Sequence, residues 1–248
     1  MADPTTRAEN NDDFSPIANP VETLYLAYCD ILGFSNRILN DFDKTLETYR
    51  SFGDLLGGAN FKNVRTTIYS DAILITTASL KDILIAVQSV WFFALSNDFM
   101  LRGAITKGRY WEQRRGHDLL VVSDALVHAV KLEKMVGVPA VAIADDVEIP
   151  DIYWLARFEG GPFATPLLHF RDRNIVNPFN IMWGQSAKDR ASLMLVENPA
   201  HKDKYLWFLA LHDAIVNGKE LIPPDVLKRF FEKGMLKFTP GRLLDSGT

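Results

Sequence analysis

The residues with the clearest chemical potential lie where a hydrophobic segment ends in a carboxylate. Residues 25–32 are apolar apart from Asp30, and a turn at Gly33 leads through Phe34 and Ser35 into a helical pattern. A carboxylate buried at a strand end has a large desolvation cost unless a cation or hydrogen bonds compensate it. Backbone amides that open a helix attract anions. The segment therefore predicts a corner that binds a divalent metal and phosphate oxygens together.

A second carboxylate, Asp71, lies between two β-branched runs, residues 64–68 and 73–77. Two such runs around a short polar turn predict a hairpin. Strands that are neighbours in one sheet would bring Asp30 and Asp71 together, and converging carboxylates suit a pair of Mg²⁺ or Mn²⁺ ions that bridge a triphosphate. An aspartate in a turn is also often only a cap, which leaves that interpretation open for Asp71.

The hydrophobic pattern predicts the elements that would position these carboxylates. In a strand over residues 22–32, a period of two places Tyr28 on the same face as Asp30. Helices are predicted at 35–52, 80–95 and 123–135, and strands at 101–110 and 139–144. The order predicts an α+β fold with a ferredoxin-like βαββαβ core.

Three regions are expected along the chain. Residues 1–20 are polar and contain prolines, which predicts a flexible tail. Residues 21–146 hold the core. Residues 147–248 form an extension of mixed strand-like runs (167–170, 181–183) and helices (186–197, 202–216, 225–233), packed on the core or on a dimer interface.

Composition excludes several classes of function. A net charge of −4 over 248 residues argues against direct binding of nucleic acid. Cys29 is the only cysteine, which fits a reducing compartment. No secretory start is present, and the most apolar helical run, residues 83–95, is short of the ~20 residues that cross a bilayer. We therefore expect a soluble cytoplasmic protein without a membrane partner.

Four segments, in order, resemble the class III nucleotidyl cyclases, the adenylate and guanylate cyclase superfamily. Residues 28–35 (Tyr-Cys-Asp-Ile-Leu-Gly-Phe-Ser) resemble its opening motif, Phe-x-Asp-[Ile/Leu]-x-Gly-Phe-[Ser/Thr]. Residues 69–72 resemble its second metal motif, with Ser70 in place of the usual glycine. Residues 101–108 are similar to its Arg-x-Gly-Ile-x-x-Gly strand, and 123–133 to its Gly-[Asp/Asn]-Thr-Val-Asn-x-Ala-x-Arg-Leu-Glu helix. The ordered set is more specific than any single motif.

The resemblance implies a homodimer with two active sites at its interface. It implies that Asp30, the Ile31 carbonyl and Asp71 bind two divalent ions, Mn²⁺ or Mg²⁺. It also implies that residues 33–35 (Gly33, Phe34 and Ser35) hold the phosphates of a nucleoside triphosphate substrate. On this basis Asp30 and Asp71 serve catalysis through the metals.

The sequence departs from the family pattern at the residues that stabilise the transition state and at those that select the nucleotide base. The family's transition-state asparagine aligns with Val127, and its arginine with Lys131, which can still neutralise charge that develops on phosphate. Either another donor replaces the asparagine, with His128 and Arg102 as candidates, or the alignment shifts by one residue. The positions that select purines fall near Thr67 and Leu120, without the usual pairs.

These departures look most like the pyrimidine cyclases of the Pycsar anti-phage systems, which make cyclic UMP or cyclic CMP for a separate effector that senses the product. Tyr28 would then border the base, where a phenol fills space that a purine needs; a buried core tyrosine is the alternative. UTP is favoured over CTP only because a phenol both donates and accepts hydrogen bonds. A non-catalytic nucleotide-binding module and a purine cyclase remain as alternatives. The activating signal is not predicted.

Overall fold

The computed structural model describes residues 20–58, 63–115, 118–155, 165–179, 183–217 and 221–235. Within these ranges the fold is α+β, with one sheet of eight strands and helices packed against it. The strands are β1 Glu22–Leu32, β2 Arg65–Tyr69, β3 Ala72–Thr77, β4 Met100–Arg115, β5 Asp118–Ser123, β6 Val141–Ile143, β7 Leu167–His169 and β8 Asn174–Val176. The helices are α1 Phe34–Asn40, α2 Phe42–Gly58, α3 Leu80–Ser96, α4 Asp124–Val136, α5 Ile152–Leu155, α6 Gly184–Glu197, α7 Lys202–Val216 and α8 Pro224–Glu232, with a 3-10 turn at Pro199–His201 before α7.

The order of the first four strands is that of the ferredoxin-like fold. The sheet runs β2-β3-β1-β4-β6-β8-β7, and β5 pairs with β4. Each neighbouring pair among strands β1 to β4 is antiparallel, while β4 and β6 are parallel. Helices α1 and α2 connect β1 to β2, and α3 connects β3 to β4, which completes the predicted βαββαβ arrangement. The predicted fold class, with helices at the C-terminal side of the core, is confirmed.

The two faces of the sheet carry cores of very different size. Ala27, Cys29 and Ile31 of β1 point into a large core that α2, α3, α6 and α7 complete. Their neighbours Leu24 and Leu26 point to the opposite face, where α4 packs through Ala125 and Ala129. Because side chains alternate along a strand, Tyr28 and Asp30 lie on the α4 face.

Residues beyond 146 complete the same large core. Strand β8 pairs with β6 and so extends the sheet. The Phe208 ring of α7 lies 5.7 Å from Trp91 of α3 and 4.8 Å from Phe179, measured between ring centroids. The C-terminal helices therefore share a core with the strands that position the candidate site.

The structure differs from the predicted elements at several places. The single helix predicted over 35–52 is two helices, because the Asp41 carboxylate accepts a hydrogen bond from the Lys44 amide at 3.1 Å and starts a new helix there. The second helix continues through Gly53 to Gly58, beyond the predicted end. Strands β5 and β8 were not predicted. The predicted tail falls almost entirely outside the described residues, as do residues 181–182 of a predicted strand-like run.

Candidate functional site

The turn between β2 and β3 brings Asp71 to the end of β1. The Ile31 amide donates to the Asp71 carbonyl at 2.8 Å, and Asp30 pairs with Ala72 across the strands. Ser70 adopts φ 53°, the left-handed conformation that the tight turn requires, at the position where a glycine is usual in the motif. The Tyr49 hydroxyl donates to the Ser70 carbonyl at 2.5 Å and holds the turn against α2. The structure thus places both predicted aspartates in one corner.

The electrostatics of this corner favour a bound cation. The pKa of Asp30 is raised to about 6, first by burial and then by the negative charge of Asp71, while Arg102 acts in the opposite direction. Two mutually repelling carboxylates, with the Ile31 carbonyl beside them, form an oxygen-only donor set of the kind that Mg²⁺ and Mn²⁺ prefer. The residues therefore fit the divalent ions that the sequence implies. In the described ranges, no group of three or more His, Cys, Asp or Glu side chains is arranged to hold a metal.

Arg102 links Asp30 to a buried glutamate on α4. Its guanidinium donates to Asp30 Oδ2 at 3.3 Å, and its Nε forms an ion pair with Glu133 Oε1. The Glu133 side chain is only 5% exposed. Glu133 lies on the buried stripe of α4 together with Ala125 and Ala129. The sequence prediction did not include Glu133 in the site, although one acid on an otherwise apolar helix stripe is a usable signal.

Tyr28 lies two residues before Asp30 on the same face of β1. Burial is the main cause of its raised pKa, and the charges of Asp30, Glu133 and Asp71 add to it. The phenol is therefore in the electrostatic range of the carboxylate corner. It also packs against the small core beneath α4. A contact between Tyr28 and a nucleotide base stays a prediction.

The segment Gly33–Ser35 turns directly out of β1. Gly33 has φ +78°, a conformation that favours glycine, and α1 begins at the next residue. The Phe34 ring is buried and lies 5.1 Å from that of Tyr49, so Phe34 offers a ligand only its backbone. Ser35 is exposed. The loop is thus open to a ligand next to Asp30.

The structure does not bring Lys131 to the carboxylates within one chain. Lys131 is exposed on α4, one turn after Val127, which is 52% exposed. In the part of the chain that the structure describes, no hydrogen bond or ion pair joins Lys131 to Asp30 or Asp71. His128, a predicted substitute donor, is exposed on the same helix. Val127, His128 and Lys131 thus form an exposed face of α4.

The other basic residues of β4 lie toward its far end. Arg109 pairs with Asp124 at 2.7 Å, and the Lys107 ammonium lies 4.8 Å from the centre of the Tyr25 ring. The Arg115 side chain is outside the described residues. Arg109 and Lys107 therefore have structural partners away from the corner. Among the β4 cations whose side chains the structure describes, only Arg102 lies at Asp30.

Comparison with known proteins gives structural likenesses and no sequence relatives. No family model matches the chain, and no curated protein matches it. A bacterial light-regulated adenylyl cyclase is similar over 50% of this chain and 43% of its own, with 10% identity and a TM-score of 0.41. The adenylyl cyclase CyaB from P. aeruginosa is similar over 51% of this chain and 79% of its own, with 11% identity and a TM-score of 0.41. A class III adenylyl cyclase-like ATP-binding protein from Pseudomonas aeruginosa is similar over 72% and 43%, with 12% identity and a TM-score of 0.45.

The likeness to the light-regulated adenylyl cyclase spans less than half of that protein's length. Within the described residues, no helix combines the length and the hydropathy that a membrane span needs.

Two residues of the C-terminal region also lie near the corner, and no motif or spacing in the sequence predicts them there. Lys204 of α7 is close enough to Asp30 and Arg102 for their charges to affect its pKa. His201 lies beside Gly33. Both are far from Asp30 in the sequence, so no local spacing could have indicated the contact.

Proposed function

We propose that the chain is a nucleotidyl cyclase, which converts a nucleoside triphosphate to its 3′,5′-cyclic monophosphate and pyrophosphate. The observation that carries this proposal is the convergence of Asp30 and Asp71 at the end of β1, supported by the hydrogen bond from the Ile31 amide to the Asp71 carbonyl at 2.8 Å. The four ordered motifs in the sequence support it independently. Three of them fall on β1 with the start of α1, on the turn between β2 and β3, and on β4, and the fourth falls on α4, which packs on the face of Asp30.

Asp30, the Ile31 carbonyl and Asp71 would hold two divalent ions. When bound, such ions lower the pKa of the ribose 3′-hydroxyl and neutralise charge on the triphosphate. The 3′-oxygen attacks the α-phosphorus, the bond to the bridging oxygen breaks, pyrophosphate leaves, and the hydroxyl proton passes to water. The amides of Gly33, Phe34 and Ser35 would orient the phosphates. Arg102, positioned by Glu133, would neutralise charge beside Asp30.

The exposed position of Lys131 supports an active site shared between two subunits. In a homodimer that packs α4 of one subunit over the carboxylate corner of the other, Lys131 of the partner subunit would stabilise the charge that develops on the α-phosphate. Mixing Asp30→Ala and Lys131→Ala proteins tests this arrangement. We expect each variant to be inactive alone and the mixture to recover activity through heterodimers. A mixture as inactive as its components would contradict the shared site.

We propose a pyrimidine substrate, UTP in preference to CTP, because Tyr28 lies on the substrate face beside Asp30. A phenol there takes the space of the second ring of a purine and offers its hydroxyl to a pyrimidine edge. The cyclic pyrimidine product would then act as a second messenger in anti-phage defence, read by a separate effector.

The deciding experiment is incubation of the purified protein with each of the four nucleoside triphosphates and Mn²⁺, followed by mass spectrometry. We expect cyclic UMP, lost in Asp30→Ala and reduced in Tyr28→Phe. A cyclic purine would retain the cyclase and overturn the pyrimidine assignment. Full turnover by Asp30→Ala would overturn the cyclase assignment itself.

A non-catalytic nucleotide-binding module is the second candidate. Val127 favours it, because an exposed valine stands where a hydrogen-bonding side chain is expected to contact the transition state. Binding of nucleotide by a folded protein that yields no product with any of the four substrates would support this alternative.

A further inference from the structure

A cavity of about 360 Å³ lies between the turn that follows β1 and the segment that leads into α7. Gly33 lines one side, and His201 and Lys204 line the other. His201 Nε2 lies 3.9 Å from the position that a Cβ atom on Gly33 would occupy. The C-terminal region of the chain therefore lies directly against the loop beside the carboxylate corner.

The cations around this cavity differ in how they are compensated. Arg37 donates to the Asp98 carbonyl at 2.5 Å and lies over the Phe99 ring, and Arg102 is paired with Asp30 and Glu133. Lys204 is partly buried, and it forms no ion pair with any carboxylate in the described parts of the chain. Among those residues Arg37 forms no ion pair with a carboxylate either, whereas Arg102 forms two.

The surroundings of Lys204 favour an additional anion. Burial lowers the pKa of the Lys204 ammonium, the positive charge of Arg102 lowers it further, and Asp30 acts in the opposite direction. A cation bound at Asp30 would cancel that attraction and leave Arg102 and Lys204 as neighbouring positive charges. Arg37 and Lys204 line the cavity, beside the acids Asp98 and Glu197. Two cations that face one cavity raise the local concentration of anions and bind phosphate oxygens.

We propose that this cavity binds the outer phosphates of the substrate and that Lys204, assisted by His201, is a phosphate-binding residue supplied by the C-terminal region of the same chain. The identity of the ligand as a nucleoside triphosphate rests on the proposed function. The contribution of Lys204 does not need a second subunit, unlike that of Lys131. Residues beyond 146 are then part of the active site.

Binding of inorganic tripolyphosphate in Mg²⁺ buffer, measured by calorimetry, tests the cavity without requiring turnover. We expect Lys204→Ala to bind about tenfold more weakly than the wild type, as for loss of one charged hydrogen bond. Lys204→Arg should restore most of the affinity because it restores the charge. Lys202→Ala, which removes an exposed lysine at the start of the same helix, should stay within about twofold.

Steady-state kinetics with the accepted nucleotide separate this proposal from the proposed function. We expect Lys204→Ala to raise KM about tenfold with a smaller change in kcat, because outer phosphates are bound in the ground state as well. Wild-type turnover with unchanged tripolyphosphate affinity in Lys204→Ala overturns the phosphate site and leaves the cyclase intact. A Lys204-dependent affinity without turnover supports the site and contradicts the cyclase. Faster turnover by Lys204→Ala also overturns the proposal, since Lys204 would then be a counter-ion that occupies the metal corner.

Discussion

Two clusters of charged residues lie at opposite ends of strands β1 and β4, and each places one arginine between two carboxylates. At one end Arg65 donates to Glu22 at 2.7 Å and to Glu112 at 2.9 Å. At the other end Arg102 lies between Asp30 and Glu133. The Arg65 side chain is 48% exposed, whereas that of Arg102 is 25% exposed. A third carboxylate, Asp71, acts only on the second cluster.

This difference in burial and charge distinguishes an ion-pair network on the surface from a candidate functional site. Water screens the Arg65 cluster, so its charges need no further ligand. The Arg102 cluster is more buried and contains two aspartates that repel each other, an arrangement that a folded protein retains at an energetic cost. Burial together with an unbalanced charge, rather than the presence of ion pairs, therefore marks the functional end of the sheet.

The largest expected contrast between the two ends is in activity. Asp30→Ala should reduce turnover by about a thousandfold or more, because it removes a carboxylate from the reacting centre. Glu22→Ala, at the start of the same strand, should stay within about twofold of the wild type. Initial rates with the accepted nucleotide measure both, with circular dichroism as the control for folding. Equal losses in the two variants would remove the distinction between the ends.

The next contrast is in stability. Glu133→Gln should lower the free energy of unfolding by about 2 kcal/mol, because it weakens the partner of a largely buried guanidinium. Glu112→Gln, the matched change at the exposed end, should lower it by about 1 kcal/mol at most. Urea unfolding followed by tryptophan fluorescence gives both values. A Glu112→Gln effect larger than that of Glu133→Gln would show that burial does not decide the strength of these pairs.

The salt dependence of the exposed cluster is a smaller effect. Arg65→Ala should lower the free energy of unfolding by about 1 kcal/mol in dilute buffer. The loss should shrink at about 1 M NaCl, where the screening length is about 3 Å. Part of it should persist, because Arg65 also lies over the Tyr110 ring. An effect that grows with salt would contradict an electrostatic origin.

The smallest expected effect is a pH dependence at α8. The pKa of Asp151 is lowered from 3.8 to about 2, mainly by hydrogen bonds from Arg229, and Lys233 contributes to the lowering. A carboxylate with a lowered pKa stabilises the fold above about pH 4 and loses that contribution as the pH falls toward 2. Asp151→Asn should therefore be less stable than the wild type at pH 5, with the difference disappearing near pH 2. Unfolding curves at several pH values check this; a pH-independent difference would exclude the ion pair as its cause.

Local patterns in the sequence were sufficient for much of the fold. Strand β1 and helix α7 have their predicted bounds, and helix α3 is one residue longer than predicted, because apolar residues recur through the length of each segment. The break at Asp41 was missed, since apolar residues continue on both sides of it and only the cap reveals it. Strand β8 was missed because three residues carry no measurable period, and its pairing with β6 is what makes it a strand.

The candidate site also contains one part that the sequence predicts and one part that it does not. The meeting of Asp30 and Asp71 follows from a strand end and a hairpin tip in neighbouring strands, which sequence spacing can indicate. The contacts of Arg102 with Glu133 and of Gly33 with His201 depend on how α4 and α7 dock on the sheet. Such long-range docking depends on the packing of whole faces and leaves no spacing pattern in the sequence.

The packing of Phe208 against Trp91 and Phe179 has a consequence for how the chain can fold. During synthesis from the N-terminus, α3 emerges more than a hundred residues before the helix that covers it. Until α7 is made, the apolar face of α3 lacks its cover and is exposed to aggregation. A fragment cut at residue 146 would retain all four motifs but leave Trp91 uncovered. The docking of α7 that covers Trp91 is therefore also the step that brings Lys204 to the carboxylate corner.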